Sequence, residues 1–162
     1  MMNGMLGSQA GLFHDKRVIV ASVGVGPYVN RGNVLIERST LRVLGLTANT
    51  PRFSVFEGIT NSLLQLINRY DYLVVTGCTT LQDDPDHQRC FDDQFERITI
   101  PKICFGGTFF CEPYEVPSLR IAKLYDTTIA TRDPWAHNYL KQSGIDCQFV
   151  GCPTLLDAPR CH

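Results

Sequence analysis

The feature that most constrains this fold is an alternation, repeated along the chain, of short apolar runs with longer amphipathic segments. The runs Arg17–Val23, Arg52–Phe56, Tyr72–Thr76, Lys102–Gly106, Thr127–Thr131 and Asp146–Val150 read as strands buried on both faces. Helical segments separate them. One spans Asn33–Leu44, with Asn33 as N-cap, Glu37 in the first turns where negative charge is favoured, and Val34, Leu41 and Leu44 on one side. Thr60 caps a second, whose Leu63, Leu64 and Ile67 face inward. Val116–Tyr125 reads as a third, and Gln82–Gln94 as a polar, acidic loop leading into a short helix. The clearest local pattern is Asp133 as N-cap, Pro134 at the first helical position, Ala136 and Leu140 on one face, and Gly144 as the stop. Strands alternating with helices imply a parallel sheet with right-handed crossovers, covered on both faces. The expected fold is therefore α/β: a doubly wound, Rossmann-like parallel sheet of about six strands over residues 16–156. Residues 1–15 read as a flexible N-terminus and 157–162 as a tail.

A length of 162 residues suits one domain, and 44% hydrophobic content with a net charge of −1 excludes a disordered chain. Fifteen basic residues against sixteen acidic ones give no basic excess, which argues against nucleic acid as the partner. No run approaches a membrane span and the N-terminus lacks the basic start of a signal peptide, so a cytoplasmic protein is expected. Seven cysteines form no C-x-x-C pair. They read as small buried hydrophobes, with Cys147, Cys152, Cys161 and His162 as a weak alternative zinc set. No metal and no cofactor are expected.

In an open parallel sheet, ligands bind beyond the carboxyl ends of the strands. Those ends hold Gly24 and Gly26, Glu57 and Gly58, Gly77 to Thr80, Gly106 to Thr108, Arg132 and Asp133, and Gly151 and Cys152. The run Gly24–Asn33 is a glycine-rich turn feeding a helix N-terminus, which exposes backbone N–H groups to a phosphate or carboxylate. It is neither a P-loop nor the dinucleotide fingerprint, because Val29 stands at the third glycine position. Glu57 sits where a ribose-binding acid would, leaving a nucleotide-binding domain as one alternative. Arg31 and Arg132 on one rim suit a clamp for a doubly charged substrate, or else are surface ion pairs. His137, one turn after Asp133, is a candidate general acid or base, or an exposed helix residue. Thr79 and Thr80 can donate to sugar hydroxyls or cap a helix. The acidic run Asp83 to His87 reads as a solvated loop, with a metal-binding cluster as the alternative. The aromatic run Thr108–Tyr114 reads as a lid, a sugar-stacking loop, or a patch around Phe109 and Phe110 that a partner chain covers. The last option makes the protein a non-catalytic binding or assembly module, or a homo-oligomer.

Several of these pieces occur in an order that resembles the N-terminal domain of polysaccharide pyruvyl transferases. They are Asn30-Arg31-Gly32-Asn33 opening the first helix, the strand Asp71–Gly77, the Arg132-Asp133 helix through Gly144, and the turn Gly151-Cys152-Pro153-Thr154. Cys78 stands where the family has a second glycine. The resemblance runs from Val18 to Leu156. It implies half of a two-domain, glycosyltransferase-B-like architecture acting in exopolysaccharide biosynthesis. The implied reaction moves pyruvate from phosphoenolpyruvate onto a saccharide diol as a ketal. The implied partners are phosphoenolpyruvate and a saccharide acceptor, with peripheral contact to a lipid-linked glycan. Arg132 and His137 are then the catalytic candidates. Gly24, Gly26, Asn30, Arg31, Gly32, Asn33, Gly77, Thr79, Thr80 and Asp133 are the binding candidates.

Overall fold

A computed structural model describes residues 13–26, 29–76, 94–109 and 124–157. Its elements run β1 (Val18–Ser22), α1 (Arg31–Val43), β2 (Arg52–Ser54), α2 (Asn61–Ile67) and β3 (Tyr72–Thr76), then a 3-10 turn at Phe95–Arg97. They continue with β4 (Lys102–Gly107), β5 (Thr127–Thr131), α3 (Pro134–Gln142), β6 (Cys147–Phe149) and α4 (Pro153–Leu156). The strands form one sheet in the order β2-β1-β3-β4-β5-β6, and every adjacent pair is parallel.

The apolar runs have no alternation because both faces of the sheet are covered. On one face Ile19, Ala21, Leu73, Val75, Cys104 and Ile129 pack with Leu64 and Ile67 of α2 and Ala136 and Leu140 of α3. On the other, Val18, Val20, Val74, Phe105 and Ala130 meet Leu41 and Leu44 of α1. The chain winds outward from β1 to β2, then crosses back and proceeds from β3 to β6. Its winding therefore reverses between β1 and β3, the switch point at which a crevice opens in doubly wound sheets. The first five strands follow the flavodoxin-type order rather than the 3-2-1-4-5-6 order of dinucleotide-binding sheets.

The elements differ from the sequence reading mainly at their ends. β2 stops at Ser54, because Val55 turns inward and is wholly buried. α1 starts earlier than its apolar pattern suggests. Asn30, not Asn33, is the N-cap, and its side chain accepts a hydrogen bond from Asn33 N at 2.9 Å. Asn33 is buried inside the first turn. Thr60 and Asp133 cap their helices as expected, accepting from Leu63 N at 3.2 Å and Ala136 N at 2.8 Å. α3 is followed by Gly144 at φ +78°, a backbone state that favours glycine. The one-turn helix α4 was not anticipated; it packs along α1, and Asp157 at its end pairs with Arg42 at 3.0 Å. Phe13 belongs to the core, edge-on to Tyr72 with ring centres 5.4 Å apart, so the packed domain reaches beyond residue 16. The helix expected over Val116–Tyr125 lies largely outside the described residues.

Candidate functional site

At the carboxyl end of β1 the chain turns sharply into α1. Gly26 has φ +117°, and a Cβ there would collide with Ser54 on β2. A Cβ on Gly24 would lie 2.5 Å from an oxygen of Glu37. Both glycines are therefore required by space, and Gly26 by conformation as well. Glu37 comes from the second turn of α1 and is almost fully buried. Its carboxylate accepts from Gly24 N at 2.7 Å, from the Ser22 hydroxyl, and from Arg52 of β2 at 2.6 Å. The first-turn dipole role expected for Glu37 is thus replaced by a tie that binds β1, β2, α1 and the glycine turn together. Thr76 at the end of β3 closes the floor of the crevice, accepting from Val23 N and donating to Ala21 O, each at 3.2 Å.

This geometry sorts the candidates of the first turn. Gly24 and Gly26 shape it, and the N–H of Gly24 is already taken by Glu37. Asn30 reaches over Gly32, where a Cβ would lie 3.1 Å from its side-chain oxygen, to occupy the N–H of Asn33. What α1 leaves for a ligand are the N–H groups of Arg31 and Gly32 and the exposed Arg31 side chain.

The second corner joins β5 to α3. A bulge precedes it on the neighbouring strand. Phe105 pairs with Ala130 and Gly107 with Thr131, so Gly106, at φ +80°, is the extra residue. The bulge delivers the Thr108 hydroxyl to one oxygen of Asp133, while the other oxygen caps α3. Asp133 is therefore committed to holding the corner on both sides. The backbone N–H of Arg132 donates to Gly107 O at 3.1 Å, which fixes where its half-buried side chain departs. Phe109 lies in the core, edge-on to Trp135 and to Tyr139 with both ring centres at 5.5 Å. This overturns its place in an exposed lid or partner patch: the bulge turns the chain inward at that point. Trp135 and Tyr139 stack on each other at 6.0 Å and remain half-exposed, an aromatic wall beside Arg132 that the sequence reading passed over. Their i, i+4 spacing next to a capped helix start was the available clue.

His137 lies one turn into α3 and turns toward β6. Its Nδ1 sits 3.4 Å from Cys147 Sγ, and its ring lies 6.3 Å from that of Phe149. Burial pushes the Cys147 thiol above its ordinary value and the wholly buried Cys104 up to about 12, so both are neutral thiols. This agrees with reading them as small hydrophobes. Cys152 sits half-buried beside Thr154, 3.0 Å from its hydroxyl.

The arrangement does not bring Arg31 and Arg132 side by side. β1 and β5 are separated by β3 and β4, so their ends stand three strand spacings apart, about 14 Å. The two helices also begin on opposite faces of the sheet. Gly77, Cys78, Thr79 and Thr80 lie outside the described residues, as do Asp83 to His87, Phe110 to Tyr114, Cys161 and His162. Among the described residues no group of three or more His, Cys, Asp or Glu side chains is placed to hold a metal ion. Nor is any helix long and apolar enough to cross a membrane. No family model matches the chain, and neither the curated proteins nor the solved structures include a match.

Proposed function

We propose that this chain is a pyruvyl-transferase-like domain that binds an anionic donor at the switch point between β1 and β3. The observation that carries the proposal is the β1–α1 corner. There a turn that needs glycine at positions 24 and 26 leads to a helix start whose Arg31 and Gly32 N–H groups have no partner among the described residues, with an exposed arginine, within the segment Asn30-Arg31-Gly32-Asn33 that resembles the family. The order of the other motifs supports the same reading. Arg31 and the N–H groups of Arg31 and Gly32 hold the phosphate or carboxylate of phosphoenolpyruvate. The β5–α3 corner, about 14 Å along the rim, suits the far end of an extended saccharide acceptor, with Trp135 as a stacking surface and Arg132 beside it, while the reacting diol reaches back to the donor at the β1–α1 corner.

In the reaction the enol double bond takes up a proton at its terminal carbon. The central carbon forms two bonds to acceptor hydroxyl oxygens, and its bond to the phosphate oxygen breaks. The two hydroxyls release two protons; one balances the methyl group formed and the other leaves with phosphate. His137, whose Nδ1 meets Cys147 on the side of α3 away from Trp135, does not face the acceptor, and the Arg31 guanidinium stabilises the donor anions. In the architecture the resemblance implies, this domain forms one wall of a cleft and a second domain the other.

The test is phosphate release from phosphoenolpyruvate with a diol-bearing saccharide, paired with calorimetric titration of phosphoenolpyruvate alone. Binding that is lost on Arg31→Ala supports the site even if turnover needs a second domain. A flat titration together with no turnover removes the proposal.

A further inference from the structure

Helix α1 sorts its charges by side. Its residues include three arginines and one acid. The acid, Glu37, points inward and is neutralised by Arg52. The arginines Arg31, Arg38 and Arg42 recur with Leu35 at steps of four, three and four, which is one face of a helix. All four are exposed, Leu35 at 53%. Among the described residues no ion pair engages Arg31 or Arg38; Arg42 bridges to Asp157 beyond α4. That bridge and the packing of α4 along α1 place Leu155, 75% exposed, and Leu156 in the same layer. In a chain of net charge −1, the outer side of this layer is cationic and carries three exposed leucines.

We propose that the outer face of α1, with Leu155 and Leu156 beside it, docks on an anionic lipid surface. The geometry favours lipid over a protein partner. The arginines stretch over twelve residues, about 16 Å of helix. Leu35 lies between two of them on a convex cylinder. A field of phosphate headgroups pairs each guanidinium whatever its spacing, and the adjoining acyl boundary takes the leucines. A protein partner would need acids at matching intervals and a recess for each leucine. Arg31 is shared with the anion site proposed above, so Arg38, Arg42 and the leucines carry the docking, and substitutions at Arg38 and Leu155 test it apart from that site.

The experiment is co-sedimentation of the full chain with vesicles of phosphatidylcholine, with and without phosphatidylserine. The expected result is binding only to the phosphatidylserine vesicles, weakening as salt rises. Arg38→Glu reverses one charge and should weaken binding by about 25-fold, at roughly fivefold per unit charge. Leu155→Ser should weaken it severalfold through a different chemistry. Arg69→Glu, an exposed arginine following α2 on the opposite face, should leave it unchanged. All three positions are exposed, so the variants keep the fold. Absence of binding to anionic vesicles at low salt overturns the proposal. So does a loss on Arg69→Glu equal to that on Arg38→Glu. Concentration-dependent dimerisation abolished by Leu155→Ser would instead give the face to a second copy of the chain.

Discussion

At the β5–α3 corner most of the ordering is local. Asp133 caps its own helix three residues on, Pro134 presets the first helical φ, and the neighbouring strand adds the side-chain tie to Thr108 and the backbone bond from Arg132 to Gly107. At the β1–α1 corner the helix cap, Asn30 to Asn33, is equally local, but the turn itself is held from a distance. Glu37 reaches back 13 residues to Gly24 and spans 15 to Ser22 and 15 to Arg52. The first corner can begin to form as soon as its helix does. The second exists only when β1, β2 and α1 are already packed, because its central carboxylate is buried and has no solvent to fall back on. The candidate anion site therefore rests on the corner that depends most on the whole fold.

The widest gap between the corners should appear at Glu37. Glu37→Ala removes one partner of a buried ion pair and leaves Gly24 N and Ser22 without their acceptor. A loss of about 3 kcal/mol is expected by urea unfolding, toward the lower end for such pairs because Arg52 is partly exposed. Glu37→Gln can still accept from Gly24 N and Ser22 through its one oxygen but loses both the charge and the bond from Arg52, and should cost less than Glu37→Ala. A loss below about 1 kcal/mol for Glu37→Ala would mean the corner is held by packing alone, and the contrast would collapse.

A second comparison sets two left-handed glycines against each other. Gly26→Ala forces a residue at φ +117° into the side chain of Ser54, whereas Gly144→Ala, at φ +78°, meets nothing within 4 Å. Conformation alone costs about 1 kcal/mol at either site. The collision should raise Gly26→Ala to about 2 kcal/mol or more. Equal losses in thermal unfolding would show that β2 can move aside, and that the glycine turn is looser than its contacts imply.

The same division explains what the sequence revealed. Tyr72–Thr76 and Thr127–Thr131 were legible to the residue, because a strand buried on both faces is a bare apolar run. Asp133, Pro134 and Gly144 were legible because caps and stops act within a few residues. Asn33 was mistaken for the cap because it heads the apolar stripe; Asn30 lies one turn earlier, and only the path of the glycine turn selects it. Glu37 reads as an ordinary acid near a helix start, and no local pattern says that Arg52 awaits it across the sheet. Phe109 carried the opposite error. An aromatic run beside glycines suggests exposure, yet the bulge at Gly106 sends it under Trp135. Rim residues were thus recognisable by type and strand end. Which of them share a corner follows from strand order, and the separation of Arg31 from Arg132 could not be read before that order was known.

The smallest predicted effect belongs to the local corner. Asp133→Ala removes the N-cap of α3 and the partner of Thr108, and should cost about 1–2 kcal/mol. Asp133→Ser restores the bond to Ala136 N but is too short to hold Thr108 as well, so it should recover the capping part only. The difference between the two variants then isolates the Thr108 tie, measured by urea unfolding of both alongside Thr108→Val. If Asp133→Ser behaves like wild type, the long-range tie contributes nothing and the corner is wholly local. If it behaves like Asp133→Ala, the cap contributes little, and the β5–α3 corner would resemble the β1–α1 corner in being held from the neighbouring strand.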